Sequence, residues 1–244
     1  MPTANILQPL IDVANAVLSF FHDDVGVSWG MAIILLTVCT RALLIPLTYK
    51  QLKSMRALQA LQPQMKALQE KYKNDRQRLS QEMMKFYQEN KINPLASCVP
   101  LLAQLPVFIT LFQALRGPLR EDICGQTADP CGMVPPGDWG QGFLFIPDLT
   151  DKATGGVLIA LIVIYVATQL FSGLVMATTS DRNQRMLMMA LPFIFVPFIL
   201  SFPAGLILYW ITTNIWTIGQ QYVVNKVIPP PVIATPEGAA AAVA

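Results

Sequence analysis

The sequence predicts an all-α integral membrane protein with five transmembrane helices around a hydrophilic groove, a cytoplasmic helical hairpin and an N-terminal interfacial helix. Three observations predict it. Of 244 residues, 53% are apolar and only 13% charged, whereas an ordinary soluble domain carries about 25% charged residues. That composition excludes a disordered chain and argues against a soluble enzyme. The 17 basic and 15 acidic side chains are also badly mixed, because 14 of them fall between Lys50 and Lys91. A soluble surface needs its charges interspersed. Finally, the charge-free gaps have the length of membrane spans, and one span of that length holds a single arginine, Arg41.

A spanning helix needs about 20 mostly apolar residues to cross roughly 30 Å of hydrocarbon. Between Lys91 and Arg116 there are 24 uncharged residues, and between Lys152 and Asp181 there are 28. Each reads as one span, over 92–116 and 153–179. Between Arg185 and Lys226 there are 40, interrupted at Ser201-Phe202-Pro203-Ala204-Gly205, where proline and glycine favour a turn. Two spans result, 186–201 and 204–225. Residues 25–49 form the first span, which contains Arg41.

Basic residues orient the spans, since Lys and Arg are retained on the cytoplasmic side. Residues 50–91 hold ten Lys and Arg against four acids, whereas 117–155 hold two against six. The hairpin 50–91 and the short loop 180–185 therefore read as cytoplasmic, and the loop 117–152 as external. The N-terminus lies outside and the C-terminus inside, which agrees with five crossings.

In residues 1–24, Asn5, Gln8, Asp12, Asn15 and Ser19 recur every three or four positions opposite Ile6, Leu7, Leu10, Ile11, Val17 and Leu18. This period describes an amphipathic helix in the outer interface. A cleaved signal peptide is the rival reading, but it would need a basic n-region and an unbroken apolar core. Across 50–91, Leu58, Leu61, Met65, Leu68 and Tyr72 are spaced 3, 4, 3, 4, and Leu79, Met83 and Phe86 continue the seam beyond Asn74-Asp75. That pattern makes a helical hairpin, either a solvated structural element or a basic surface for anionic headgroups or ribosomal RNA. Any such contact is electrostatic, with no sequence-specific nucleic-acid recognition. The proline- and alanine-rich tail 226–244 is expected to be disordered.

Cys39 and Cys98 fall within spans, while Cys124 and Cys131 share the external loop. An oxidising exterior permits a disulfide there, but spacing alone leaves bonded and free states both open. His22 beside Asp23-Asp24 reads as a solvated surface histidine, not a metal ligand. No cofactor and no metal are expected.

Arg41 is the most informative residue, because a charge inside a span costs on the order of 2.5–3.5 kcal/mol. Lys50 lies nine residues on, so at about 1.5 Å per residue the Arg41 backbone sits roughly 13 Å inside the cytoplasmic boundary. The other four spans contain no Asp or Glu. Arg41 thus either snorkels to the inner headgroups or faces a water-filled cavity open to the cytoplasm. Polar residues on the other spans favour the cavity. Thr37, Arg41 and Thr48 share a face of the first span; the second contributes Gln104, the third Tyr165, Gln169 and Ser172, and the fifth Tyr209, Thr213, Asn214, Thr217 and Gln220. Interhelical hydrogen bonding is the plainer use for each of them alone.

Four segments in order carry a resemblance: TRALLIPLTYKQLKS (Thr40 to Ser54), QPQMKALQEKYKND (Gln62 to Asp75), NPLASCVPLLAQLPVF (Asn93 to Phe108) and LPFIFVPFILSFPAGLILYWITTNIWTIGQQ (Leu191 to Gln221). Over about residues 1–226 the chain resembles the bacterial members of the YidC/Oxa/Alb family of membrane protein insertases. None of these motifs is catalytic, so no enzyme activity is expected. The resemblance implies five helices around a positively charged groove, open to cytoplasm and lipid and closed outside, with Arg41 as the groove arginine. It further implies that the hydrophilic flank of a small substrate enters the groove while its hydrophobic segment slides between protein and lipid.

Partners implied are nascent membrane-protein substrates and the lipid bilayer, with the ribosome, the signal recognition machinery and the Sec translocon as further candidates. The expected location is the bacterial plasma (inner) membrane. The chain reads as a minimal core, or as a piece of a longer protein that begins at the core, since the extra first span and large external domain of Gram-negative members are not in the sequence. It lacks the long basic tail that some members use for ribosome docking. A small anion transporter or channel using the Arg41 cavity is the alternative, and a purely structural assembly factor or chaperone is a third reading. Against transport stand the odd span count, the lack of an evident inverted repeat and the absence of carboxylates in the spans.

Overall fold

A computed structural model describes residues 8–90, 99–124, 142–176 and 182–227. The protein is all-helical among these residues, in the order α1 (Gln8–Ser19), a π-helical turn (Phe20–Asp24), α2 (Trp29–Leu43), α3 (Ile45–Ala60), α4 (Gln62–Lys71), α5 (Arg76–Glu89), α6 (Val99–Arg116), α7 (Pro118–Cys124), α8 (Gly155–Met176), α9 (Arg182–Ile199) and α10 (Ala204–Val227). They fall into two units, one drawn from 1–44 and 103–222 and the other from 45–102 and 223–244.

In the first unit, α1 packs on α2, and Ile11, Ala14 and Leu18, spaced 3 and 4 apart, are its buried residues, the last two joining the core that α2 shares. Leu10 and Val13 stay exposed. The expected two-sided helix is therefore three-sided: a polar stripe, a buried apolar stripe and a bare apolar stripe. Hydropathic period alone cannot divide an apolar arc between two neighbours. Beyond α1, Gly26 adopts φ +76, where an L side chain would be strained. Ser28 then caps α2, its Oγ accepting from the Met31 amide at 3.4 Å. His22 departs from the solvated reading: it is half-buried, its Nδ1 donates to the Val27 carbonyl at 2.8 Å, and its ring stacks on Trp29 at 4.0 Å.

The stretch expected to be one first span breaks at Leu44. Pro46 explains the break, since in a continuous helix its nitrogen would have to donate to the Ala42 carbonyl, and proline has no N–H and clashes there. The Leu44 amide instead closes α2 by bonding the Thr40 carbonyl at 3.1 Å. Among the described residues, Gly155–Val175 is long and apolar enough by itself to cross a membrane, and Trp29–Leu43 with Ile45–Ser54 passes the same test as a broken pair. Met189–Ile199 is a shorter apolar helix.

The core of this unit joins Ile33 and Leu36 of α2, Leu111 and Leu115 of α6, Leu161 of α8 and Leu206, Ile207 and Tyr209 of α10. The segment 142–154 closes one end of it. Phe143 lies on Gly30, so tightly that a Cβ there would fall 2.2 Å from the ring. The first amides of α10 bond the same segment, Ala204 to the Asp151 carbonyl at 2.9 Å and Gly205 to the Leu149 carbonyl at 2.8 Å. These bonds satisfy donors that a helix N-terminus otherwise leaves open. An aromatic cluster fills the space between α6, α9 and α10, with Phe202 edge-on to Phe108, Phe112, Phe198 and Trp210 at 4.6–5.7 Å.

In the second unit α4 and α5 pack against each other. Met65, Leu68, Tyr72, Leu79, Met83 and Phe86 are half-buried along the seam. Asp75 caps α5 by accepting from the Arg78 amide at 3.0 Å. Lys71 and Arg78 both lie over the Tyr72 ring, at 5.4 and 5.8 Å, which clips the turn. The tail from 228 onward, Cys98 and Cys131 lie outside the described residues, as does the side chain of Cys124.

Candidate functional site

Arg41 occupies the last turn of α2, where the negative end of the helix dipole favours a cation. That position replaces part of what an acidic partner would supply. Among the described residues Arg41 makes no ion pair, and its Nε is buried without a hydrogen-bond partner. Its electrostatic neighbour is Tyr209 of α10, which is only 1% exposed.

Tyr209 in turn ties α10 to α6, because Gln104 Nε2 donates to its phenol oxygen. The Thr213 hydroxyl, one turn further along α10, faces the Tyr209 phenol and lies within its electrostatic influence. Its oxygen is buried and makes no hydrogen bond that meets ordinary geometry. The structure thus gathers Arg41, Gln104, Tyr209 and Thr213 in one cluster. Two of its polar atoms, Arg41 Nε and Thr213 Oγ1, are unsatisfied. Buried polar groups in this condition call for water or a ligand.

The remaining predicted residues divide differently. Thr37 is buried, and its hydroxyl donates to the Ile33 carbonyl at 2.7 Å, so its proton is spent within α2. Thr217 does the same to the Thr213 carbonyl at 2.8 Å. Thr48 bonds the Ile45 carbonyl at 3.1 Å and lies beyond the break, on α3. Asn214 is buried and donates through Nδ2 to Thr168 Oγ1 of α8 at 3.3 Å. Thr168 is a residue that the sequence reading missed. Ser172 and Tyr165 are buried on α8, Gln169 is half-buried, and Gln220 accepts from Trp216 Nε1 at 3.0 Å. Among the described residues no group of three or more His, Cys, Asp or Glu is arranged to hold a metal ion.

Apolar helices that hold an unpaired arginine against interhelical amide, phenol and hydroxyl groups define a helical protein with a polar interior, of the kind found in membranes. A family profile described as "60Kd inner membrane protein" matches residues 20–231. The membrane protein insertase YidC of Streptomyces avermitilis is 38% identical over 236 residues, covering 86% of this chain and 54% of the relative. That of Hahella chejuensis is 40% identical over 214 residues, covering 87% and 34%. A solved structure entitled "Active YidC insertase crystal structure with the first transmembrane domain resolved" superposes with a TM-score of 0.67 at 27% identity, covering 86% of this chain and 46% of that one. The chain belongs to the 60Kd inner membrane protein family. It spans about half, or less, of the length of these relatives.

Proposed function

We propose that this protein is a membrane protein insertase and chaperone. It takes the hydrophilic flank of a small membrane protein into a positively charged groove open to the cytoplasm and releases the hydrophobic segment into lipid. The observation that carries this reading is the Arg41 cluster: a half-buried cation with no acidic partner among the described residues, its buried Nε unsatisfied, sharing the neighbour Tyr209 with a second unsatisfied polar atom on α10. Such a site attracts an acidic, hydrated segment, and it lowers the desolvation cost of moving polar backbone through the bilayer. The names of the relatives support the same activity.

In this reading five spans surround the groove, the N-terminus is external and the C-terminus cytoplasmic. Thr37, Arg41, Gln104, Gln169, Ser172, Tyr209, Thr213, Asn214 and Thr217 line or brace the groove. The basic α4–α5 hairpin meets incoming substrate, the ribosome or the signal recognition machinery, and the Sec translocon is a further partner. Nothing in this mechanism is enzymatic. The driving force is partitioning of the substrate and, for acidic flanks, the membrane potential at about 2.3 kcal/mol per charge per 100 mV.

Site-specific photocrosslinking from Thr213 and Gln169 to a stalled nascent chain tests it. Adducts to the flank of a short single-span substrate are the expected result. Their absence, together with Arg41-dependent passage of a small anion through proteoliposomes, would favour the transporter reading instead. Reduction followed by peptide mass analysis decides whether Cys124 and Cys131 are bonded.

A further inference from the structure

We infer that the turn Phe143–Ile146 is a built anchor for the outer leaflet, inserting Leu144 and Phe145 into the boundary between headgroups and acyl chains. Its frame is rigid. The Phe143 amide donates to the Ile146 carbonyl at 2.8 Å and the Ile146 amide returns the bond at 2.9 Å. Phe143 and Ile146 are 7% and 3% exposed, and Phe143 is wedged on Gly30.

Between these two fixed posts, Leu144 and Phe145 point outward, 70% and 45% exposed. Leu144 does so at φ 55, where it is the one non-glycine residue with positive φ among those described. A γ-branched side chain in that conformation is strained, and such strain persists only where the surroundings impose it. The fold therefore holds two large apolar side chains bare at a backbone cost, which is the reverse of what a soluble loop would do.

The position of the turn argues for lipid. It is fixed to the N-terminal end of α2 through Gly30 and leads into the segment whose carbonyls bond the N-terminal amides of α10. Val157, in the first turn of α8, packs on the same core. Three helix starts therefore converge on this segment, α8 among them, the helix long enough to span alone. In an inner membrane protein such ends mark the edge of the hydrocarbon. Residues 142–147 carry no charge, and the nearest acid, Asp148, is folded back to accept from the Thr150 amide and hydroxyl at 2.7 Å. An uncharged aromatic and aliphatic pair at this depth suits the interface. The inference rests on membrane embedding and on the proposed external side of residues 117–152, not on the Arg41 reading.

The test places a nitroxide, through p-acetylphenylalanine, at Phe145, at exposed Val163 of α8 and at exposed Asp24 of the π-helical turn, in the full chain in lipid nanodiscs. Power saturation then compares collisions with oxygen and with a water-soluble nickel chelate. Val163 should read hydrocarbon and Asp24 water, with the oxygen-to-nickel ratio at Phe145 at least about threefold above that at Asp24, as expected for insertion below the headgroups. A Phe145 ratio equal to that at Asp24, while Val163 reads hydrocarbon, would overturn the anchor and leave membrane embedding intact. In native membranes p-benzoylphenylalanine at Phe145 should give lipid adducts. A discrete protein adduct in their place would assign the turn to a protein partner and likewise overturn the proposal.

Discussion

The side-chain amide of Gln104 on α6 donates to the phenol oxygen of Tyr209 on α10, and that bond fixes the phenol beside Arg41. A phenol oxygen that accepts from an amide still has its own proton to donate. Tyr209 therefore serves as a hinge between the structural bond to α6 and the unsatisfied atoms of Arg41 and Thr213.

Removing either half of this bond should impair insertion more than stability. Gln104→Leu and Tyr209→Phe each delete one neutral hydrogen bond, a loss of about 1 kcal/mol. Thermal unfolding in detergent should shift by only a few degrees, whereas insertion of an acidic-flanked substrate into proteoliposomes should fall severalfold. Full insertion by Tyr209→Phe would show that the phenol oxygen does not position Arg41.

The packing of Phe143 on Gly30 predicts a coupled pair. Gly30→Val overpacks the contact and should cost about 1–3 kcal/mol, and Phe143→Ala leaves a cavity costing about 3–5 kcal/mol. Because each change relieves the other, the double variant should be more stable than the sum of the two losses predicts. Equilibrium unfolding of the four proteins in mixed micelles gives the coupling energy, and strict additivity would mean that the contact is not formed.

Pro46→Ala supplies the helical i→i−4 donor to the Ala42 carbonyl that proline cannot. Amide exchange across residues 43–48 should then slow by about tenfold or more as the helix runs through Leu44, consistent with the ~3 kcal/mol cost of an interior proline. Unchanged exchange would place the cause of the break elsewhere.

Asp75→Ala should cost the hairpin about 1 kcal/mol, the usual worth of an N-cap. Faster exchange at Arg78 and its neighbours is the readout, and Asp75→Asn, which keeps an acceptor, should restore most of the protection.

How far the sequence reached can be judged at these same residues. Arg41 stood out because a charge in a long apolar stretch has few explanations, and Gln104, Tyr209 and Thr213 were visible as polar groups on other spans. Their grouping was not legible, since span sequences do not give helix rotation. Thr168 was overlooked because a mid-helix threonine ordinarily bonds its own backbone, as it does here to the Ile164 carbonyl at 2.8 Å, and only the packed neighbour reveals its second bond. The break at Leu44 was encoded in Pro46, but apolar length alone reads straight through it. His22 looked solvated beside two aspartates, while its stacking partner Trp29 lies a full loop away.

If Arg41 attracts the acidic flank of a substrate, swapping its charge should change which substrate is inserted. Insertion into proteoliposomes is measured for the parent protein and for Arg41→Glu, with two versions of one short single-span substrate whose flank is acidic or basic. Arg41→Glu should lose the acidic substrate by about tenfold or more, the loss of on the order of 1.4 kcal/mol of attraction, and gain the basic one. Equal insertion of both substrates by both proteins would contradict that attraction.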